Sequence, residues 1–126
     1  MAASLLVVDD NANMRELLQM HLRAAGYDVQ VAEDGIAAGY SVLRSPPDLI
    51  ITDVQMPHMD GFEFVAALRA DKALPRFPVI FLTTMEEGEL RGRDLGAVGY
   101  HAKPIRLDKL LELVAANVPD GRVVLK

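Results

Sequence analysis

Short apolar runs alternate with helical patterns along the 126-residue chain, and this order restricts the possible folds more than any other feature. Residues 5–8, 49–51 and 79–82 are continuous apolar runs, which is typical of strands covered on both faces. Residues 27–32 alternate between apolar and polar side chains, which favours an edge strand, and residues 99–102 are a weaker fifth candidate. The sequence therefore predicts five strands.

Helical patterns follow these runs. The first has an apolar stripe from Met14 to Ala25; Asn11 or Asn13 can cap its start, and Gly26 ends it. The later stripes consist of Ile36, Tyr40 and Leu43; of Phe64, Val65, Ala67 and Leu68; and of Leu107, Leu110, Leu111, Val114, Ala115 and Val118.

A further helix is predicted over residues 86–95, but its pattern is poor. Gly88 and Gly92 interrupt it, and each glycine costs a helix about 1 kcal/mol relative to alanine. We expect this helix to be short or mobile.

Strand and helix thus alternate five times, which implies an α/β domain with a parallel sheet, right-handed crossovers and helices on both faces. The length suits one domain over residues 1–126, with a core over 4–118. Residues 119–126 are too few for a second domain and are interpreted as a tail or linker stub.

Composition excludes several classes of protein. The net charge of −5 argues against direct nucleic-acid binding, and the absence of cysteine excludes disulfides and thiolate metal sites. No apolar run is long enough for a membrane span, and the N-terminus does not resemble a signal peptide. We expect a cytoplasmic protein.

Polar residues follow the predicted strands at the edge where ligands bind in open α/β sheets. Asp9 and Asp10 follow the first strand, and Asp53 ends the third. Thr83 follows the fourth, and Lys103 follows the fifth. Segments distant in sequence therefore bring three carboxylates, a hydroxyl and an ammonium group to one edge.

This set of side chains has a specific chemistry. Two carboxylates about 4 Å apart repel by roughly 1 kcal/mol in water and by about 4 kcal/mol when partly buried, so either a cation or a strongly raised pKa is needed. Oxygen donors without a thiol suit Mg²⁺ rather than zinc. A carboxylate beside a metal, a hydroxyl and a lysine can attack a phosphoryl group and form an aspartyl phosphate.

Taken together, these residues resemble the receiver domains of response regulators, the phosphoacceptor half of two-component signalling. The motifs that carry the resemblance are Asp9-Asp10, Asp53 within DVQMPHMDG, Thr83 after VIFL, and Lys103-Pro104 after GAVGYHA. The resemblance covers about residues 4–118 and is greatest to single-domain, chemotaxis-type members. It implies a doubly wound (βα)5, flavodoxin-like three-layer sandwich with strand order 2-1-3-4-5.

The resemblance also implies roles for individual residues. Asp53 would be the phosphorylated nucleophile, while Lys103 and Thr83 would contact phosphoryl oxygens. Thr83 and Tyr100 would form the switch, in which Tyr100 moves inward as the threonine moves toward the phosphate. The Lys103-Pro104 peptide bond would be cis.

The implied cofactor is Mg²⁺, for which Mn²⁺ could substitute. Asp10, Asp53 and the backbone carbonyl of Gln55 would bind the metal directly, and Asp9 would act mainly through water.

The implied function is a signalling phosphoacceptor with self-phosphorylation and autodephosphorylation activity, not an enzyme in the usual sense. A sensor histidine kinase or phosphotransfer protein would supply the phosphoryl group. The face formed by the predicted helix over 86–95, the fifth strand and the final helix would then control an unknown partner protein. We expect a monomer or weak dimer with no membrane partner.

The sequence departs from the family pattern at a few positions. The span from Thr83 to Lys103 is slightly short, and the loss falls in the glycine-containing helix. Thr84 is larger than the small residue usual there in the family, and Gln55 and Met85 match positions at which the family tunes dephosphorylation.

Three alternatives are open at this stage, and the weakest is a nucleotide-binding flavodoxin-like protein, because the sequence has no glycine-rich phosphate loop. A degenerate receiver would keep the fold and act only as an interaction module, although all five site residues are present. A phosphatase of the haloacid dehalogenase type also uses an aspartyl phosphate, but its Asp-x-Asp motif is absent after the first strand.

Overall fold

All five predicted strands are present and pair in parallel. In this computed structural model, the described residues are 2–83 and 95–118. The sheet has the order β2-β1-β3-β4-β5, which confirms the predicted doubly wound fold. The strands are β1 (Ser4–Val8), β2 (Asp28–Ala32), β3 (Leu49–Asp53), β4 (Val79–Thr83) and β5 (Gly99–Ala102), and the helices are α1 (Ala12–Ala24), α2 (Gly35–Arg44), α3 (Gly61–Ala70) and α4 (Leu107–Asn117).

Two predicted segments cannot be compared with the structure. Most of the predicted helix over 86–95 lies in residues 84–94, and the predicted tail covers 119–126; both lie outside the described residues. Among the helices that are described, none combines the length and hydrophobicity needed to cross a membrane.

The strands have apolar cores on both faces. Leu5 and Val7 point toward the layer that contains α1 and α4, whereas Leu6 and Val8 point toward α2 and α3. All four side chains are almost completely inaccessible to solvent. This burial on both faces explains the continuous apolar run, because none of these four side chains faces water.

The strand register aligns the carboxyl ends of neighbouring strands. Val8 of β1 pairs with Thr52 of β3, so the residue after Val8 emerges beside Asp53. Thr83 of β4 pairs with Ala102 of β5 at the same edge. The chain passes from β1 to β2 on one side and then to β3 on the other, which makes the β1–β3 boundary the topological switch point.

Side-chain caps fix where the helices begin. The Asn11 side chain accepts a hydrogen bond from the Met14 amide (3.0 Å), which selects Asn11 over Asn13 as the cap of α1. At the start of α3, Asp60 and Glu63 form a reciprocal capping box.

The second helix buries a face other than its predicted stripe. Its buried residues are Gly35, Ala38, Ser41 and Val42. The stripe of Ile36, Tyr40 and Leu43 predicted the helix correctly, but all three of these side chains are exposed to solvent.

The first residue of α3 packs directly on the end of β3. A Cβ atom on Gly61 would lie 2.2 Å from the Asp53 carbonyl oxygen and 3.0 Å from the Val54 Cα. The Gly61 amide also donates a hydrogen bond to the Val54 carbonyl (2.8 Å). Only glycine allows this approach, which fixes the backbone that carries Asp53.

We predict that Gly61→Ala lowers the free energy of unfolding by about 1–3 kcal/mol, because neighbouring backbone must shift to accept the methyl group. The matched control is Gly39→Ala within α2, where an added Cβ would meet nothing within 4 Å. This control should raise stability by about 0.5–1 kcal/mol. Chemical denaturation measures both, and equal values for the two variants would contradict the packing described for Gly61.

Candidate functional site

Three carboxylates meet at the carboxyl edge of the sheet. Asp9, Asp10 and Asp53 each place one carboxylate oxygen within 4.8 Å of the others. Asp9 and Asp53 are buried, while Asp10 is exposed. The strand ends thus bring two buried negative charges and one exposed charge into a single cluster.

The amino group of Lys103 lies against the two buried acids. Its Nζ atom is 3.5 Å from Asp9 Oδ2 and 3.4 Å from Asp53 Oδ2. Its backbone amide donates a hydrogen bond to the Thr83 carbonyl (3.0 Å), and the Lys103-Pro104 peptide bond is cis. One cation therefore offsets part of the charge of two acids.

Backbone amides hold the other oxygen of each buried acid. Asp9 Oδ1 accepts a hydrogen bond from the Asn11 amide (2.9 Å), and Asp53 Oδ1 accepts one from the Val54 amide (2.8 Å). In each carboxylate, Oδ1 is fixed by the chain and Oδ2 lies near Lys103. This arrangement orients both acids without using the second oxygen.

The environment disfavours the charged form of Asp53. Burial raises the pKa of its carboxyl group, and the negative charge of Asp9 raises it further. The Lys103 charge and the Val54 amide lower this pKa, but they only partly offset the increase. An additional cation near Asp53 would therefore stabilise its ionised form.

The donor atoms fit a hard divalent cation. All three are carboxylate oxygens, the ligand type that Mg²⁺ prefers, and Asp10 is open to solvent. An open depression of about 570 Å³ adjoins Asp10 and includes Gln55, whose backbone carbonyl is the third predicted direct ligand. The depression is lined by Asp10, Val54, Gln55, Met56, Pro57 and Asp60.

The two predicted switch residues lie on neighbouring strands next to this cluster. Thr83 is buried at the end of β4, in register with the residue that precedes Lys103. Tyr100 is half-buried on β5, pairs with Phe81 and packs on the core layer beneath α2 and α3. The structure thus brings Thr83 to the edge of the site and gives Tyr100 a packing role.

Several supporting residues were not identified from the sequence. Arg15 of α1 donates a hydrogen bond from Nη1 to the Asp9 carbonyl (2.7 Å), and Thr52 Oγ1 donates one to the Asp53 carbonyl (2.9 Å). No pattern in the sequence indicates these bonds, since an arginine on a helix is ordinarily a solvated side chain. Gly61 was partly indicated by the sequence, because it is the last residue of the DVQMPHMDG motif that begins with Asp53.

Comparison with known proteins gives a consistent result. Residues 5–115 match the family of response regulator receiver domains. The transcriptional regulator RpaA of Synechocystis, described as DNA-binding, is 36% identical over 114 residues, which are 89% of this chain and 47% of that protein. The chain spans about half the length of the curated relatives it matches.

Solved structures of similar proteins cover the chain more fully. The chemotaxis protein CheY4 of Vibrio cholerae is 36% identical, with a TM-score of 0.86 over 94% of this chain and 100% of that chain. The response regulator TrrA of Thermotoga maritima, solved in complex with Mg²⁺-BeF, is 32% identical. Its TM-score is 0.82, over 94% of this chain and 100% of that chain.

We predict that Asp53→Asn makes the metal-free protein more stable than the wild type at pH 7. Below pH 3.8, the ordinary pKa, the carboxyl group is protonated in both folded and unfolded chains, so Asp53 ionisation has no effect. As the pH rises from the ordinary pKa through the raised folded-state pKa, the unfolded chain ionises first, so the native state is increasingly disfavoured until both forms are ionised. Denaturation with chelator at several pH values measures this, and a stability advantage that grows as the pH falls would contradict it.

We predict the opposite effect for Lys103→Met, which removes the cation and leaves two buried acids facing each other. The expected loss is about 1–3 kcal/mol at pH 7, less than for a fully buried pair because 21% of the Lys103 side chain is exposed. Combining this change with Asp53→Asn should reduce the loss. Additive effects in the double variant would show that Lys103 does not act on Asp53.

Proposed function

The chain belongs to the response regulator receiver family, as its sequence predicted, and we propose that it is a phosphorylation-controlled switch. It accepts a phosphoryl group on Asp53 from a histidine kinase or phosphotransfer protein in a Mg²⁺-dependent reaction. The observation that carries this proposal is the convergence of Asp9, Asp10 and Asp53 within 4.8 Å at the switch point of the sheet.

Asp53 has the geometry of an anchored nucleophile. The Val54 amide holds Oδ1, so Oδ2 attacks phosphorus; an O–P bond forms as the N–P bond of the donor phosphohistidine breaks and the imidazole leaves. Lys103 Nζ, 3.4 Å from Oδ2, is placed to pair with a phosphoryl oxygen. Most of the catalytic effect is positioning and charge neutralisation.

Asp10, Asp53 and the Gln55 backbone carbonyl would hold the metal, with Asp9 acting through water. When bound, Mg²⁺, or Mn²⁺ in its place, supplies positive charge to the transferring phosphoryl oxygens. The exposure of Asp10 and the depression beside it support this assignment, because they leave room for metal-bound water and a phosphate. The complex of TrrA with Mg²⁺-BeF supports it by similarity.

Phosphorylation adds nearly two negative charges and three strong acceptors next to Thr83. We propose that the Thr83 hydroxyl moves toward the phosphoryl group and that Tyr100 turns inward. This shift biases a pre-existing equilibrium on the face that contains β5 and α4. Support comes from the position of Thr83 at the site edge and from the half-buried state of Tyr100.

The output is a change in binding of a partner protein to this face, with no direct nucleic-acid contact at a net charge of −5. The reaction would take place in the cytoplasm. The receiver also hydrolyses its own phosphate, so it is a signalling phosphoacceptor and not a phosphatase of external esters.

Incubation with acetyl phosphate and Mg²⁺ tests the assignment by intact-protein mass spectrometry. We predict that the wild type gains one phosphoryl group, that Asp53→Asn gains none, and that the metal chelator EDTA abolishes labelling. The matched control is Asp28→Asn, which removes an exposed acid at the amino end of β2 and should label normally. Undiminished labelling of Asp53→Asn would reject Asp53 as the acceptor, and an unlabelled wild type would favour the degenerate receiver.

A further inference from the structure

An apolar groove lies between α2 and α3, on a different surface from the carboxylate cluster. It has a volume of about 290 Å³, and Ile36, Gly39 and Leu43 of α2 line one side while Ala67 and Leu68 of α3 line the other. One carboxylate, that of Asp71, lies in its lining. The groove therefore presents mainly hydrocarbon to solvent.

The outward face of α2 extends this apolar surface. Ile36, Tyr40 and Leu43 are 52%, 66% and 65% exposed. Together with Gly39 they follow the i, i+3, i+4, i+7 spacing of a single helical stripe, here called the α2 stripe. Single exposed apolar residues are ordinary on protein surfaces, but a helical stripe beside an apolar groove is typical of a surface that binds another helix.

We propose that the α2 stripe is a homodimer interface on which α2 of a second copy lies antiparallel. The stripe is self-complementary about a two-fold axis between positions 39 and 40. In that register, Ile36 faces Leu43 of the second copy, and Tyr40 faces Gly39. Because a Cβ on Gly39 would meet nothing within 4 Å, the two helices can approach closely and the tyrosine ring has space.

Charge complementarity supports a second copy as the occupant. Acidic Glu33 and Asp34 lie at the start of α2, and Arg44 lies in its last turn. The Asp34 carboxylate accepts a hydrogen bond from the Ala37 amide (2.8 Å), so an antiparallel pair places Arg44 of each copy beside the carboxylate of Glu33 of the other. Within residues 2–83 and 95–118, neither Arg44 nor Glu33 forms a salt bridge, so both are available.

Analytical ultracentrifugation of the whole chain over a concentration series tests the proposal. The wild type should dimerise with a dissociation constant below about 1 mM. Tyr40→Glu and Leu43→Glu should each weaken dimerisation about 100-fold. Met20→Glu is the matched control, since Met20 is 59% exposed on α1, and it should dimerise like the wild type.

Charge reversal distinguishes this interface from other dimers. Arg44→Glu or Glu33→Arg alone should weaken association, and the double reversal in one chain should restore it, because each copy again meets the opposite charge. A wild type that stays monomeric at 1 mM, dimers that survive Leu43→Glu, or a double reversal no better than the single variants would each overturn the proposal.

Discussion

The chemistry of the site depends on one constraint: carboxylates are placed together at the end of a buried sheet, where they repel one another and are partly removed from water. Asp9 and Asp53 are held side by side by the register of β1 and β3, and neither can turn into bulk water without losing its amide hydrogen bond. Lys103 offsets part of this charge, yet burial and Asp9 keep the pKa of Asp53 raised. The cluster therefore has the charge and the donor atoms that suit a cation, because another positive charge would stabilise it.

Much of this arrangement could be predicted from the sequence, for a simple geometric reason. Parallel strands end at one edge, so acids that directly follow buried runs must emerge together, whatever the intervening helices do. Strands β1, β3 and β4 could be predicted equally well, because burial on both faces gives each of them a continuous apolar run. The convergence of Asp9, Asp10 and Asp53 follows from those two facts.

Other features depend on tertiary contacts that no local pattern records. The hydrogen bond from Arg15 to the Asp9 carbonyl joins a helix to a strand end, and its donor looks like any surface arginine. The stripe of α2 identified the helix but not which face is buried, because small residues such as Ala38 can face a core as well as large ones. Most of the predicted helix over 86–95 lies in residues 84–94, outside the described part of the chain.

The central claim is that the three acids form one shared cation site, and Mg²⁺-dependent stability tests it most directly. Mg²⁺ should raise the free energy of unfolding of the wild type, by about 2.7 kcal/mol when its concentration is 100 times the dissociation constant. Asp10→Asn, which removes the exposed acid and leaves the buried pair intact, should lose most of this shift, while Asp28→Asn should keep it. Equal Mg²⁺ stabilisation of all three proteins, or none in the wild type, would contradict the account.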